Sequence, residues 1–204
     1  MSSRLISRMR NLAVELAIGI NTRGMAETNI PDGKPYATLD YGFIETILNA
    51  MQLTASDVFV DIGCGRGRAL CSAARRSVQE AIGIEGDPAI AAQCESNVNR
   101  LRRRGKISAG KVTVVAKLAD DDSVDAVWKI GTAYYLFCPF GEKTLFRVAA
   151  KIRQFMTRPV RIAYINPTHE RVLADAGFRR SEALPRDTSR ELEHPVSFWN
   201  APEA

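Results

Sequence analysis

The fold of this 204-residue chain is decided by one stretch, Val58-Phe-Val-Asp61-Ile-Gly63-Cys64-Gly65-Arg66-Gly67-Arg68-Ala-Leu70. Its first part is rich in β-branched and aromatic residues, which is typical of a strand buried on both faces. Glycine then occupies every second position, where a side chain would hold the backbone away from a ligand. Good helix formers follow without a breaker. The stretch therefore predicts a strand, a ligand-binding turn and a helix.

The glycine spacing and two acidic residues indicate which ligand binds there. The spacing is Gly-x-Gly-x-Gly, which differs from the Gly-x-Gly-x-x-Gly of dinucleotide folds, and Asp61 lies two residues before the first glycine. A carboxylate there would repel a pyrophosphate but attract an ammonium group. Glu85 ends a second predicted strand 18 residues after Gly67, close to the roughly 20 residues expected for a carboxylate that binds ribose hydroxyls. The pattern favours S-adenosylmethionine (SAM) over a nicotinamide dinucleotide.

The same two segments resemble the glycine-rich first motif and the acidic second motif of the class I SAM-dependent methyltransferases. They read Asp-Ile-Gly-Cys-Gly-Arg-Gly and Ile-Gly-Ile-Glu-Gly-Asp in this chain. The resemblance implies SAM as cofactor and S-adenosylhomocysteine as product. It also implies cofactor contacts from Asp61, Gly63, Cys64, Gly65, Gly67, Glu85 and Gly86.

Two further cofactor contacts are expected after the third and fourth strands. Family members often place an acidic residue against the adenine, but the matching position in this chain is Leu118. Asp120 or Asp121 is then the candidate for the adenine contact. The alternative is that this acidic run is a solvated turn. After the fourth strand the chain has Cys138-Pro-Phe-Gly, which resembles the Asn-Pro-Phe-Gly of a bacterial subgroup of class I enzymes. That subgroup also has a segment like Gly19-Ile-Asn-Thr-Arg-Gly near its N-terminus. Cys138 is expected to be a small wall residue and not a nucleophile.

Three side chains are candidate catalytic groups. Methyl transfer from a sulfonium needs alignment above all, and a general base helps only when the acceptor is protonated. His169 is the first candidate, because an unperturbed imidazole titrates near neutral pH. Tyr36 and Tyr41 lie in or beside the loop before the glycine motif and are expected to close over the cofactor.

The order of predicted elements gives the fold class and the domain organisation. Strands and helices alternate after residue 53, which predicts parallel strands joined by right-handed crossovers. We expect an α/β, doubly wound, mostly parallel seven-stranded sheet with an N-terminal helical cap, and the resemblance implies that the last strand is antiparallel. The expected organisation is one domain over residues 1–204, with a cap and substrate lid at 1–52 and a Rossmann-like core at 53–204.

Two basic segments have open interpretations. Residues 3–19 combine arginines with apolar residues at helical spacing, and we expect this stripe to pack on its own domain, although a membrane surface or a nucleic acid would also suit it. Basic residues cluster between Arg100 and Lys106 at the end of a predicted helix. The helix macrodipole explains them, and a nucleic-acid patch is the alternative.

Composition limits compartment and metal content. The four cysteines have no Cys-x-x-Cys pair and no histidine at ligand spacing, so reduced thiols are expected and neither a disulfide nor a metal site. No apolar run approaches the roughly 18 residues of a spanning helix. We therefore expect a cytoplasmic protein without a membrane partner. The net charge of +5 permits an anionic partner without requiring one.

The sequence predicts a SAM-dependent methyltransferase whose acceptor is unidentified. A small molecule is mildly favoured, because no separate substrate domain is visible, and the basic segments keep RNA or protein as alternatives. A non-catalytic SAM-binding module and a nicotinamide oxidoreductase are the other hypotheses. The oligomeric state is left open.

Overall fold

The computed structural model describes residues 3–28, 30–181 and 194–201. The helices are α1 (Ser3–Ile18), α2 (Tyr41–Ala50), α3 (Arg68–Ala74), α4 (Pro88–Arg103), α5 (Asp125–Ile130), α6 (Glu142–Phe155) and α7 (Glu170–Asp175), with a 3-10 turn at Asp122–Val124. The strands are β1 (Val58–Ile62), β2 (Glu80–Glu85), β3 (Lys111–Ala116), β4 (Ala133–Phe137), β5 (Val160–Ile165), β6 (Arg179–Ser181) and β7 (Val196–Ala201).

The strands form a seven-stranded sheet in the order β3-β2-β1-β4-β5-β7-β6. β1 to β5 are parallel, and β7 runs antiparallel between β5 and β6. This arrangement confirms the expected fold class. The strand order reverses between β1 and β4, and in open α/β sheets that point is where ligands bind.

The sheet is covered on both faces, and β1 shows why its residues are apolar throughout. Every β1 residue is buried. Phe59 packs into the core formed with α2, α3 and α4, whereas Val58, Val60 and Ile62 pack into the core formed with α5, α6 and α7. A strand between two helical layers must be apolar on both sides, and Asp61 breaks that pattern.

Local signals fix some element boundaries accurately. α4 begins at Pro88 because the Asp87 carboxylate accepts hydrogen bonds from the N–H groups of Ala89 at 2.9 Å and Ile90 at 3.1 Å. In contrast, α5 was not expected, since its acidic start resembles a solvated turn. Trp128 holds this short helix to the sheet and is fully buried.

The N-terminal helix packs in the opposite orientation to the expected one. The expectation that its apolar stripe faces the domain is wrong, because Leu5, Met9, Leu12 and Leu16 are all exposed. The helix is held on its other face by polar side chains together with Val14 and Ile18, which pack on the core. Among the described residues, no helix is long and apolar enough to cross a membrane.

Candidate active site

A cleft of about 1060 Å³ lies at the carboxyl ends of β1, β2, β4 and β5, where the strand order reverses. Its lower wall contains Asp61, Gly63, Cys64, Gly65, Glu85, Gly86, Leu118, Asp120, Tyr135, Cys138, Asn166, Thr168 and His169. The segment from Ile30 to Leu39 lines its other side. Ligand sites in proteins usually measure about 300 to 1,000 Å³, so this cleft has room for a cofactor and a second small molecule.

The glycine turn has a backbone that only glycine adopts without strain. Gly63, Gly65 and Gly67 have φ angles of 71°, 55° and 83°. Side chains at the first two would also overlap the ring atoms of Pro139 and Tyr36, respectively. The absence of side chains at Gly63 and Gly65 therefore lets Pro139 and Tyr36 pack directly on the backbone of the turn.

Asp61 is the buried acid of the cleft. It is 3% exposed, and its Oδ2 accepts a hydrogen bond of 2.9 Å from the Leu70 N–H. Burial raises the pKa of Asp61 to about 7, against the opposing effect of that hydrogen bond. A cation bound beside it would favour the carboxylate, so Asp61 suits an ammonium group.

Glu85 joins the second strand to the glycine turn. Its Oε2 accepts from the Gly65 N–H and its Oε1 from the Asp87 N–H, both at 2.9 Å. Burial raises the pKa of Glu85. Because each carboxylate oxygen can accept two hydrogen bonds, Glu85 keeps acceptor capacity for ligand hydroxyls.

Residues 30–36, the roof segment, run over the carboxyl ends of β1 and β4. The Lys34 N–H donates to the Pro139 carbonyl at 3.0 Å, and the Gly141 N–H donates to the Asp32 carbonyl at 3.1 Å. The Asp32 carboxylate accepts from the Thr144 hydroxyl at 3.0 Å. These bonds fasten the roof segment to the Cys-Pro-Phe-Gly turn and to the start of α6.

Of the two candidate tyrosines, one faces the cleft and the other lies behind its wall. Tyr36 lines the cleft beside Gly65, and its hydroxyl donates to the Thr22 carbonyl at 2.5 Å. Tyr41 does not line the cleft, and its ring packs under the Arg68 guanidinium at 4.6 Å. Burial raises the pKa of each to about 12. Neither phenol is suited to remove a proton at neutral pH.

Some of the other expected cofactor contacts line the cleft and one does not. Cys64, Gly86 and Asp120 line the cleft, but Gly67 does not; a side chain at Gly67 would meet the Cys94 sulfur. Asp120 is paired with Arg147 Nη1 at 2.8 Å. Leu118, which occupies the position of the family's adenine acid, is also at the cleft.

The ends of β4 and β5 form another wall of the cleft. Cys138 and Asn166 follow these strands with φ angles of 39° and 51°, and non-glycine residues held this way are often found at active sites. The Cys138 sulfur lies 3.2 Å from the Thr168 hydroxyl. His169 is partly exposed and lines the cleft just before α7, so it can reach a ligand.

A buried polar cluster beneath the cleft was missed from the sequence. Arg68 is 5% exposed; its Nη2 donates to Glu15 Oε1 at 3.0 Å, and its Nε donates to the Thr22 hydroxyl at 2.6 Å. The Asn97 amide donates to the carbonyls of Asn21 at 2.9 Å and Arg66 at 3.0 Å. These bonds attach the segment Gly19–Gly24 to the glycine turn. The only signal in the sequence was the resemblance of that segment to a subgroup motif.

The cysteines lie closer together than their spacing suggested. The sulfurs of Cys64 and Cys94 are 3.8 Å apart, and all four cysteines are free thiols. Contact with Cys94 and burial raise the pKa of Cys64 well above its ordinary value. Within the described ranges, no group of three His, Cys, Asp or Glu residues is arranged to hold a metal ion.

Comparison with known proteins shows which proteins share this architecture. A family model described as histone methylation protein DOT1 matches residues 28–128. The chain has the class I, Rossmann-like methyltransferase fold. No curated protein sequence matches it.

Solved structures with this fold cover most of the chain at low identity. An RNA methyltransferase from Salinibacter ruber, in complex with S-adenosyl-L-homocysteine, is 16% identical with a TM-score of 0.59, over 82% of this chain and 95% of that one. A geranyl diphosphate C-methyltransferase from Streptomyces coelicolor is 16% identical with a TM-score of 0.58, over 98% and 97%. A precorrin 8W decarboxylase from Methanobacterium thermoautotrophicum is 19% identical with a TM-score of 0.57, over 83% and 92%.

The donor set of the cleft fits the cofactor of this class. Gly63 is exposed at the end of β1, Asp61 offers a negative charge for an ammonium group, and Glu85 offers acceptors for ribose hydroxyls. Together with the family match over residues 28–128, this donor set supports a SAM-dependent methyltransferase that uses the expected cofactor. The matched residues end before β4, so the match leaves the ends of β4 and β5 undescribed.

Proposed function

We propose that this methyltransferase acts on a small-molecule acceptor that enters the cleft beneath the roof segment. The observation that supports this proposal is that residues 30–36 are hydrogen-bonded to the turn after β4 and to the start of α6, while the Tyr36 ring packs on Gly65 at the end of β1. An acceptor must therefore fit between the roof segment and the strand ends. A folded RNA or protein surface would have to displace the roof segment first.

The cleft volume supports this proposal. A space of about 1060 Å³ lies at the top of the range of small-molecule sites, which measure about 300 to 1,000 Å³. SAM supplies an activated methyl group when bound, and the chain's own residues then have to orient the acceptor. We assign that task to the walls formed by Phe137, Cys138, Thr168 and His169, together with the roof segment.

Of the three candidate bases, we propose His169 for acceptors that carry a proton at the reacting atom. It is the candidate that lines the cleft at the end of β5 and is partly exposed. Tyr36 is retained as a packing residue of the roof segment, since its hydroxyl is already bonded to Thr22. Tyr41 belongs to the buried surroundings of Arg68.

We also propose that the chain is organised as one domain in which residues 1–52 act as cap and lid for the core at 53–204. The contacts of Thr22, Asp32 and Tyr36 with the core support this. The roof segment would be the part of the cap that opens for substrate exchange.

The acceptor class is tested by labelling a cell extract with tritiated-methyl SAM and the purified protein. The extract is then separated into protein, RNA and low-molecular-weight fractions. We expect label in the low-molecular-weight fraction, and no label when Gly65→Val replaces the wild type. Label confined to RNA or protein would overturn the small-molecule acceptor, and label in no fraction would favour a non-catalytic SAM-binding module.

Once an acceptor is known, the role of His169 is tested with matched variants. We expect His169→Ala to lower kcat about 10²-fold or more, because a positioned base contributes roughly 10² to 10⁴ in rate, while Tyr36→Phe and Tyr41→Phe keep kcat within about threefold. Unchanged kcat in His169→Ala, with a loss in Tyr36→Phe, would contradict the assignment.

A further inference from the structure

Helix α1 is attached to the protein by its polar face. The Ser7 hydroxyl and the Asn11 amide donate to the Asp40 carboxylate, and Asn11 Oδ1 accepts from the Tyr41 N–H at 3.0 Å. Glu15, 2% exposed, bonds to Arg68 and Thr22. A surface helix normally exposes its polar residues and buries its apolar ones; α1 buries Glu15 together with Ile18 and leaves a separate row of apolar residues exposed.

The exposed face of α1 is a continuous apolar stripe. Leu5, Met9, Leu12 and Leu16 are 46%, 55%, 37% and 68% exposed. Their spacing of four, three and four residues places them in one row. At 1.5 Å per residue the row is about 16 Å long. Four large apolar side chains in a row form a surface that needs a partner, whereas single exposed ones would not.

Arginines border this stripe on both sides. At 100° per residue, Arg8 lies about 70° from the centre of the row on one side, and Arg10 lies about 130° from it on the other side, beyond Ile6; both arginines are exposed. The acidic residue of the helix, Glu15, is buried and paired. Beyond the C-terminal end of the helix, Arg100, Arg103 and Arg104 surround Gly19, and Arg104 Nη1 donates to the Leu16 carbonyl at 3.3 Å. The exposed surface of α1 is therefore apolar and cationic.

We propose that α1 is a peripheral membrane-binding helix that lies flat on an anionic lipid surface. Leu5, Met9, Leu12 and Leu16 insert at the boundary of the acyl chains, and Arg8 and Arg10 extend toward lipid phosphates. The described helices do not cross the membrane, so this attachment is interfacial. It revises the sequence-based expectation of no membrane partner, and it is independent of the methyl acceptor.

Charge decides between a lipid surface and a second copy of this chain. If two copies met through this stripe, the arginines of both would come together, and the exposed face of α1 has no acid to pair with them. An anionic bilayer supplies the opposite charge along the whole helix and around Arg103 and Arg104. Complementarity therefore favours the lipid surface.

The test is flotation of the full-length protein with vesicles of phosphatidylcholine alone or mixed with phosphatidylglycerol. Wild type is expected to float with the mixed vesicles, and less so as salt is raised from about 0.1 M to 0.5 M, since salt screens the headgroup attraction. Leu12→Gln/Leu16→Gln and Arg8→Gln/Arg10→Gln are each expected to weaken binding about tenfold or more. The substituted side chains are exposed, and circular dichroism verifies that both variants fold.

The matched control is Phe146→Gln, which removes a large apolar side chain, 54% exposed, from α6 on the other side of the sheet. It should float like wild type. Equal flotation of wild type and Leu12→Gln/Leu16→Gln would overturn the proposal. Failure of the wild type to float would also overturn it. In that case, light scattering that shows a wild-type dimer, converted to monomer by Leu12→Gln/Leu16→Gln, would indicate a second copy as the partner. RNA binding that depends on Arg8 and Arg10 would indicate a nucleic acid.

Discussion

At the scale of single residues, Asp61 connects pH to cofactor binding. The buried carboxyl has its pKa raised to about 7, so it is partly protonated near neutral pH without ligand. An ammonium group bound nearby favours the ionised form. Binding should therefore release a proton and become stronger as pH rises.

We expect SAM affinity, measured by calorimetry between pH 5 and 8, to fall by up to about tenfold for each pH unit below 7. Asp61→Asn should bind weakly and lose most of this dependence. Proton release, measured in buffers of different ionisation enthalpy, should disappear in the same variant. An Asp61→Asn profile that parallels wild type would show that another group, such as Glu85, is responsible.

The Arg68–Glu15 pair is the second residue-scale feature. Both side chains are nearly inaccessible, at 5% and 2% exposed, so removing one charge leaves the other buried without its partner. We expect Glu15→Gln to lower the free energy of unfolding by about 3 to 5 kcal/mol, measured by urea denaturation.

The control for that pair is Lys111→Gln, which removes an ion pair to Glu80 from a site where the lysine is 67% exposed. Its effect should stay below about 1 kcal/mol, as for other surface pairs. Similar losses in the two variants would mean that Arg68 finds other compensation.

At the scale of elements, the roof segment and α6 stabilise each other. α6 has no side-chain cap of its own at Gly141, and the Asp32 carboxylate of the roof segment bonds to Thr144 in its first turn. This is an N-cap supplied from a distant part of the chain. The same Asp32 carboxylate therefore holds the roof segment in place and caps α6.

We expect Asp32→Gly to lower stability by only about 0.3 kcal/mol, to increase hydrogen exchange in residues 30–36 and to weaken SAM binding. Glycine adopts the φ of 61° at this position without the strain that Asp32 carries, so the small net loss of stability makes hydrogen exchange and SAM binding the decisive readouts. The control, Asp121→Gly, removes another capping aspartate, which bonds to the Ser123 N–H and, unlike Asp120, does not line the cleft. Weakened SAM binding in both variants would indicate a general loss of stability instead.

Element boundaries show what local sequence can predict. The start of α4 was predictable, because Asp87 and Pro88 act on the next few residues. The face that α1 buries was not, because periodicity reveals a stripe but not which stripe contacts the domain. Its polar contacts depend on Asp40 and Arg68, which are distant in sequence.

At the scale of the whole molecule, the residues expected to bind the cofactor could be predicted from the sequence, and those expected to bind the acceptor could not. The cofactor side was predictable from the glycine spacing, Asp61 and Glu85, because chemistry restricts residue types there. The acceptor side was not, since Cys138, Thr168 and His169 come from separate loops and many residue types could form such a wall. The roof segment, which supports the small-molecule proposal, is also fixed by contacts between distant residues.

The most direct test is calorimetric titration of wild type, Gly65→Val and Glu85→Ala with SAM and with NAD, using Glu95→Ala on the exposed side of α4 as the control. We expect wild type and Glu95→Ala to bind SAM equally and not NAD, and the other two variants to lose SAM binding by about tenfold or more, since each removes a contact or introduces strain at the turn. Undiminished SAM affinity in both Gly65→Val and Glu85→Ala, or binding of NAD in place of SAM, would contradict the account.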